Sequence, residues 1–469
     1  MSDPRLSRLL ERLPQLLLKS EAGDLEYYGR DWTRRWTPAP LAIALPSTTQ
    51  EVQEVVRWAV TEGVAIVPSG GRTGLSGGAV AANGELVISF ERMNRVLGFD
   101  SVDRILTVQA GLALEALQRA AIGHELIYPV DFAARGSCSI GGNIATNAGG
   151  IRVIRYGNTR EWIAGLKVVT GTGELLDLNR GLIKNSSGYD LRHLLVGAEG
   201  TLGLVVEASV RLTDPPPASN VMVFAVSAMD DLMQVFAACR RKLKLSAFEF
   251  FTDRALEHVV AHGAQDPFEQ VSPFYLIAEF DVADEAQQAD ALEVFEQCFG
   301  NGWVNDGVIS QSSAQAASLW RLRESITESL AARKPYKNDI SVRISAIPAF
   351  MQAMRTIFER EYPHYDVVWF GHIGDGNLHI NVLKDDATTD AMFIVECERV
   401  TRLLAQTLAE FGGSISAEHG IGLVKKGYLL GTRSAAEIAV MRGIKQVLDP
   451  HGILNPGKVF DGAGVGSRE

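Results

Sequence analysis

The sequence predicts an α+β fold spread over more than one domain, and three observations carry that expectation. The chain has 469 residues, 46% of them hydrophobic, whereas single cores stop growing at roughly 250–300 residues. Strand-like and helix-like stretches are mixed along the whole length, and they alternate less regularly in the second half. The stretch TDPPPAS at 213–219 is a break in both patterns and the best linker. The expected divisions are a helical N-terminal segment 1–36, a domain 37–214, a domain 215–417 and a C-terminal helical segment 418–469.

The elements follow in order. LAIALPSTTQEVQEVVRWAVTEGVAIVPSGGRTGLSGG (41–78) reads as strand, helix, strand and glycine loop. Thr48 and Glu51 have the spacing of a capping box. Val52, Val55, Val56, Ala59 and Val60 then recur at helical spacing and give one buried face. Strands follow in ELVISF and ILTVQAG, then a second small-residue loop, ARGSCSIGGNIATNAGG (134–150), then strands in LKVVTGTGELLDL and LGLVVEASVRL. No internal repeat is present.

Composition excludes several classes. The net charge of −11 argues against nucleic acid as a partner. The four cysteines, Cys138, Cys239, Cys298 and Cys397, form no C-x-x-C, so neither an iron–sulfur site nor a redox pair is indicated. Sparse cysteines fit a reducing compartment and a cytoplasmic location. No apolar run reaches the ~18 residues of a membrane span. The Leu- and Arg-rich start carries Asp3 and Glu11, which favours an ordinary helix over a transit peptide. GILNPGKV (452–459) lacks the Ser/Thr and the following helix of a phosphate-binding P-loop. The two glycine loops are not dinucleotide fingerprints either. They are tight turns, or backbone nests that a phosphate-bearing ligand can approach closely.

FGHIGDGNLHINV (370–382) holds His372 and His379 with Gly374 and Gly376 between them, which disfavours a helix. Strands on each side with a four-residue loop, 374–377, make a hairpin. That register puts His372 opposite His379, with Cβ atoms about 4.5–5.5 Å apart. Val367, Trp369, Ile373, Leu378, Ile380 and Val382 then share an apolar face, and Asn381 joins the histidines on the other. The pair is a metal site or a hydrogen-bonded couple. A metal needs a further ligand, and SISAEHGIG (414–422) is the natural donor: of the adjacent Glu418 and His419, one can ligate while the other addresses a substrate.

Between 321 and 343 lie six basic and three acidic residues. Read as one helix, Leu319, Ile326 and Leu330 form its buried stripe, with Arg323 inside it and Thr327 on the same side. A buried arginine needs a carboxylate, either a protein acid or a ligand held bidentately. Arg321 and Arg343 are read as solvated or structural.

PSGGRTGLSGG, SIGGNIATNAGGIRVIRYG and KNSSGYDLRHLLVGAEGTLGLV (184–205) together resemble the vanillyl-alcohol-oxidase-type flavoproteins and, within them, the FAD-linked D-2-hydroxyacid dehydrogenases, over roughly residues 35–460. The resemblance implies a two-subdomain FAD-binding domain, an α+β substrate domain with an antiparallel sheet, and a C-terminal segment returning to the FAD domain. It implies that Pro68, Ser69, Gly70, Gly71, Arg72, Thr73, Gly74 and Leu75 wrap the pyrophosphate. Pro129, Gly136, Ser137, Ile140, Gly141, Gly142, Asn143, Thr146 and Asn147 would line the flavin, with Glu199, Gly200, Leu204 and Asn455. Covalent members carry a histidine in the first loop where this chain has Arg72, so the FAD is expected to be noncovalent.

The resemblance further implies His372, His379 and Glu418 as ligands of Zn²⁺, or of manganese or cobalt, and His419 as catalytic base. Asn381 would hold the substrate's C1 carboxylate. Arg323, Thr327 and Lys337 would hold a distal carboxylate. Many relatives have an aromatic residue where this chain has Asn338. The implied reaction oxidises a D-2-hydroxy acid to the 2-keto acid, with the hydride going to FAD. A dicarboxylate substrate, D-2-hydroxyglutarate or the shorter D-malate, suits the clamp. D-lactate would leave it unpaired. An electron-transfer flavoprotein or a quinone-linked carrier is the implied acceptor, and relatives imply a homodimer. Competing readings are a D-lactate or glycolate dehydrogenase subunit, a flavin-free zinc hydrolase, and a binding module without turnover.

Overall fold

The computed structural model describes residues 3–461. They group into two compact units. The first holds residues 3–150, 157–215 and 418–461, and the second holds 151–156 and 216–417.

The first unit has nine strands: β1 Leu17–Lys19, β2 Ala42–Leu45, β3 Ile66–Ser69, β4 Leu86–Ser89, β5 Val96–Asp100, β6 Ile105–Gln109, β7 Ile163–Val169, β8 Leu175–Leu178 and β9 Leu204–Arg211. One sheet runs β1-β2-β4-β3, parallel except for β1. The other is antiparallel and runs β5-β6-β9-β7-β8. The capping box forms as read: Glu51 N donates to Thr48 Oγ1 (3.2 Å), and Thr48 N donates to Glu51 Oε2 (3.3 Å). The helix Thr49–Glu62 it opens buries Val52, Val55, Val56, Trp58 and Ala59. The C-terminal stretch returns to this unit, because Ile66 N donates to Ile453 O and Asn455 N to Ile66 O, both at 2.7 Å. It thereby adds a bridge alongside β3.

The second unit contributes β10 Ser219–Val226, β11 Leu245–Thr252, β12 Phe274–Asp281, β13 Asp306–Ile309, β14 Tyr336–Ser341, β15 Asp366–Gly371 and β16 Asn377–Leu383. These make one seven-stranded antiparallel sheet ordered β13-β10-β12-β11-β15-β16-β14. Residues 151–156, expected with the 37–214 domain, group with this unit instead. Arg152 donates to Glu279 through Nε and Nη2 (3.0 and 3.2 Å), and Arg155 pairs with Asp281, which ties the segment to β12.

Three local expectations are corrected. The hairpin loop is 372–376, and Phe370 rather than His372 lies opposite His379. The cause is the turn. The carbonyl of His372 accepts from the N–H groups of Asp375, Gly376 and Asn377 (3.1, 3.1 and 3.2 Å), with Gly376 at φ +90°. The histidine face is also not a purely polar wall. β15 and β16 are interior strands, and Val368, Phe370 and Leu383 on that face join a buried cluster with Leu319, Leu322 and Ile326. The expected single helix is broken at Ser325 into Ser313–Glu324 and Ile326–Ser329. Arg323 is buried as expected, and Thr327, expected on the same side, is exposed.

Candidate active site

In the first unit the two small-residue loops pack on each other. A Cβ on Gly70 would lie 2.2 Å from Ser139 Oγ, and one on Gly71 would lie 1.9 Å from Ser137 O. Those glycines are therefore demanded by the protein's own backbone. Gly74 and Gly136 are different, since their nearest neighbours, Asp31 Oδ2 and Glu115 Oε2, are 3.8 and 3.7 Å away. Both are exposed at ordinary negative φ, so neither packing nor strain explains the missing side chain. Each leaves room for the close approach of a ligand. Arg72 turns back onto its own unit, 4.3 and 4.8 Å from the rings of Tyr27 and Tyr28, and donates to Gly70 O at 3.2 Å. Ile140 and Leu204 are 1% exposed, so they stand behind the loop surface. Thr146 Oγ1 donates to Gly142 O (3.1 Å), and Asn147 Oδ1 accepts from Arg160 N (3.0 Å).

Glu199, read as flavin wall, spends its carboxylate elsewhere. Its oxygens accept from Ile421 N (2.7 Å) and Gly422 N (2.8 Å), and burial raises its pKa. Ser76 Oγ donates to the carbonyls of His419 (2.7 Å) and Gly420 (3.0 Å). The backbone around His419 is thus held by residues of the first unit's loops. Asn455 donates through Nδ2 to Gly78 O (2.9 Å) and Glu199 O (2.7 Å), joining the returning C-terminus to both.

The second unit builds its site from side chains on one sheet face. Strand registers place Phe370, His379 and Asp339 side by side across β15, β16 and β14, with Val368, Asn381 and Lys337 in the next row. The pairing of Phe250 with Gly371, continued by one residue, brings Glu249 of β11 beside His372. Glu249, wholly buried, lies 2.8 Å from His372 Nδ1. Asp339, also buried, has Oδ1 3.7 Å from His379 Nδ1 and accepts from Asn377 Nδ2 at 2.9 Å. The two imidazoles meet edge to face with centroids 5.2 Å apart. Arg323, in the last turn of its helix, sets its guanidinium 4.7 Å over the Phe370 ring. Its Nε is 2.9 Å from Glu249 Oε2, in an orientation that makes an ion pair rather than an aligned hydrogen bond. Burial lowers the Lys337 pKa, although the residue is exposed overall. Burial likewise pushes Asp375, in the loop between the histidines, up to about 6.

This chemistry has close relatives. The model of the C-terminal domain of FAD-linked oxidases matches residues 215–459, and that of an FAD-binding domain matches 40–179. The chain is 70% identical to a D-2-hydroxyglutarate dehydrogenase of Xanthomonas citri pv. viticola, covering 98% of each chain. The chain belongs to the D-2-hydroxyglutarate dehydrogenase family. A second member, from Stutzerimonas stutzeri, is 51% identical over 98% of this chain and all of its own length. The fold is shared with p-cresol methylhydroxylase (TM-score 0.77, 14% identity, 98% of each chain).

FAD, implied by the family, fits the first unit. Besides the open glycines, Ser69 Oγ and Asn455 Oδ1 are, among the described residues, buried without a hydrogen-bond partner. A polar ligand at the loops would supply one. A metal fits the second. His372 sets Nδ1 at hydrogen-bond distance from the buried Glu249, which favours the tautomer with its lone pair on Nε2, the arrangement of carboxylate-backed metal ligands, and His379 turns Nδ1 toward the buried Asp339 at 3.7 Å. Glu249 and Asp339 were not singled out from the sequence. The available signals were a lone charge in LSAFEFFT and an aspartate two residues after Lys337. No described helix is long and apolar enough to cross a membrane.

Proposed function

We propose that the chain oxidises D-2-hydroxyglutarate, and D-malate less well, to the 2-keto acid, with noncovalent FAD as hydride acceptor and an electron-transfer flavoprotein as onward acceptor. The observation that carries the reading is the sheet face on which His372 and His379, each backed by a buried carboxylate, share a surface with Asn381, Lys337 and the overlying Arg323. When bound, FAD accepts the C2 hydride and a divalent metal, zinc by its ligand chemistry, lowers the pKa of the C2 hydroxyl.

The chain's residues do the rest. His372, His379 and Glu418 would hold the metal, the histidines through Nε2. His419 takes the hydroxyl proton as the C2=O bond forms. Asn381 holds the C1 carboxylate. Arg323, with Nε engaged by Glu249, presents its Nη groups to the distal carboxylate alongside Lys337, and Thr327 adds a hydroxyl at the rim.

The test is anaerobic addition of D-2-hydroxyglutarate, D-malate and D-lactate to the yellow protein. Bleaching of the flavin fastest with D-2-hydroxyglutarate is expected, slowed at least about 100-fold after chelation of the metal. Faster bleaching by D-lactate would move the reading to a monocarboxylate dehydrogenase. Colourless protein would move it to a hydrolase.

A further inference from the structure

Glu249 is 0% exposed and carries the one charge in its strand, LSAFEFFT. A carboxylate there is costly unless it is held on both oxygens. Each oxygen has a partner group: Oε1 is 2.8 Å from His372 Nδ1, and Oε2 lies 2.9 Å from Arg323 Nε as an ion pair without hydrogen-bond alignment. One rigid group, on the β11 strand that pairs with β15, therefore touches two residues with different jobs. The contacts close into a ring, since Arg323 lies over Phe370 and Phe370 lies 5.1 Å from His379, which in turn meets His372.

We infer that Glu249 is a positioning residue of the reaction, setting at once the ring of the metal-binding His372 and the guanidinium that receives the substrate's distal carboxylate. The inference rests on the metal and clamp roles proposed above. Toward His372 the carboxylate accepts the Nδ1 proton, which holds the lone pair on Nε2 and makes it a better ligand. Toward Arg323 it neutralises a buried cation from the Nε side, which leaves the Nη groups for the substrate. A single carboxylate shared this way ties the distance between metal and clamp to the backbone of one strand. That distance measures substrate length, so Glu249 bears on the choice between longer and shorter 2-hydroxy acids.

The test uses the full-length protein with its flavin bound, as wild type, Glu249→Gln and Glu249→Asp. Two readouts are taken: the Kd for Zn²⁺ by chelator competition on metal-stripped protein, and kcat/KM for D-2-hydroxyglutarate and D-lactate. Glutamine keeps the shape and loses the charge. Aspartate keeps the charge but is too short to span both partners, and it serves if the glutamine variant does not fold. The expected result is a Zn²⁺ Kd raised about 10- to 100-fold. In addition, the kcat/KM ratio of D-2-hydroxyglutarate to D-lactate should fall about tenfold, because only the dicarboxylate uses Arg323. A purely structural glutamate would lower Tm and move neither readout, and that outcome overturns the inference. Wild type that binds no Zn²⁺ overturns the metal reading along with it. Wild type that binds while both variants bind equally well overturns only the role of Glu249.

Discussion

The two units offer a ligand different material. The first offers backbone: glycines pressed against a second loop at Gly70 and Gly71, open glycines at Gly74 and Gly136, and carbonyls and N–H groups fixed by Glu199, Ser76 and Asn455. The second offers side chains in rows on a buried sheet face, each charge backed by another. A large cofactor with phosphates suits the first kind of surface. A small acid that must lose a hydride from one carbon suits the second. The contrast teaches where each unit is fragile: the first to any added atom, the second to any removed charge.

The largest effect is expected at His419, proposed above as the base, whose backbone is held by the first unit. His419→Gln should lower kcat roughly 100- to 10,000-fold with flavin content unchanged, because Ser76 grips the carbonyl of residue 419 and not its ring. Loss of flavin together with activity would show that the histidine serves the loop, and the contrast would fail there.

Arg323→Ala comes next. It strands Glu249 in the core, and breaking a buried ion pair costs about 3–5 kcal/mol. Stability by denaturant titration should fall by that order. Where the variant folds, kcat/KM for D-2-hydroxyglutarate should fall at least about tenfold more than for D-lactate. Equal losses on both acids would remove Arg323 from the clamp and leave it as a structural partner of Glu249.

The backbone-built surface can be probed with two alanines. Gly71→Ala puts a Cβ 1.9 Å from a backbone oxygen and 2.7 Å from Cys138 Cα, neither of which can turn away. Overpacking of about 1–3 kcal/mol and loss of flavin together are expected. Gly74→Ala meets nothing nearer than 3.8 Å. It should leave the unfolding free energy of flavin-stripped protein within about 0.5 kcal/mol of wild type while weakening FAD binding. Unchanged FAD affinity in Gly74→Ala would mean the open glycine faces solvent only.

The parts of this arrangement that the sequence made legible are those set by near neighbours. Thr48 and Glu51 are three residues apart, and their capping box forms as read. The hairpin was legible in kind but not in register. A slip of two residues keeps every side chain on its face, so alternation cannot tell Phe370–His379 from His372–His379. The turn that decides depends on three N–H groups converging on one carbonyl. The break at Ser325 carries no proline or glycine to announce it. Glu249 is 123 residues from His372, and only the assembled sheet brings them together.

The smallest expected effect lies where the two materials mix. Lys458, 3% exposed, donates Nζ to Val80 O at 2.8 Å, a side chain that props the end of the first glycine loop. Burial pushes its pKa down to about 8 from the ordinary 10.5. The folded form thus binds the proton more weakly than the unfolded chain. Below pH 8 the buried ammonium costs stability, and the cost is relieved as the pH climbs from about 8 toward 10.5. A depression of that size corresponds to roughly 3 kcal/mol. Lys458→Met removes it but also strands the carbonyl of Val80, at roughly 1–3 kcal/mol. The net gain at pH 7 should be about 1 kcal/mol, and it should vanish or reverse above pH 10, where the wild-type lysine is neutral in both states and only the lost hydrogen bond is felt. Melting curves of the two proteins at pH 7 and above pH 10 check this. A Tm difference that stays the same across that range would mean the lysine's charge is balanced in the fold by Asp31 and Glu85, and that the loop is held by an ion-pair network rather than by a single hydrogen bond.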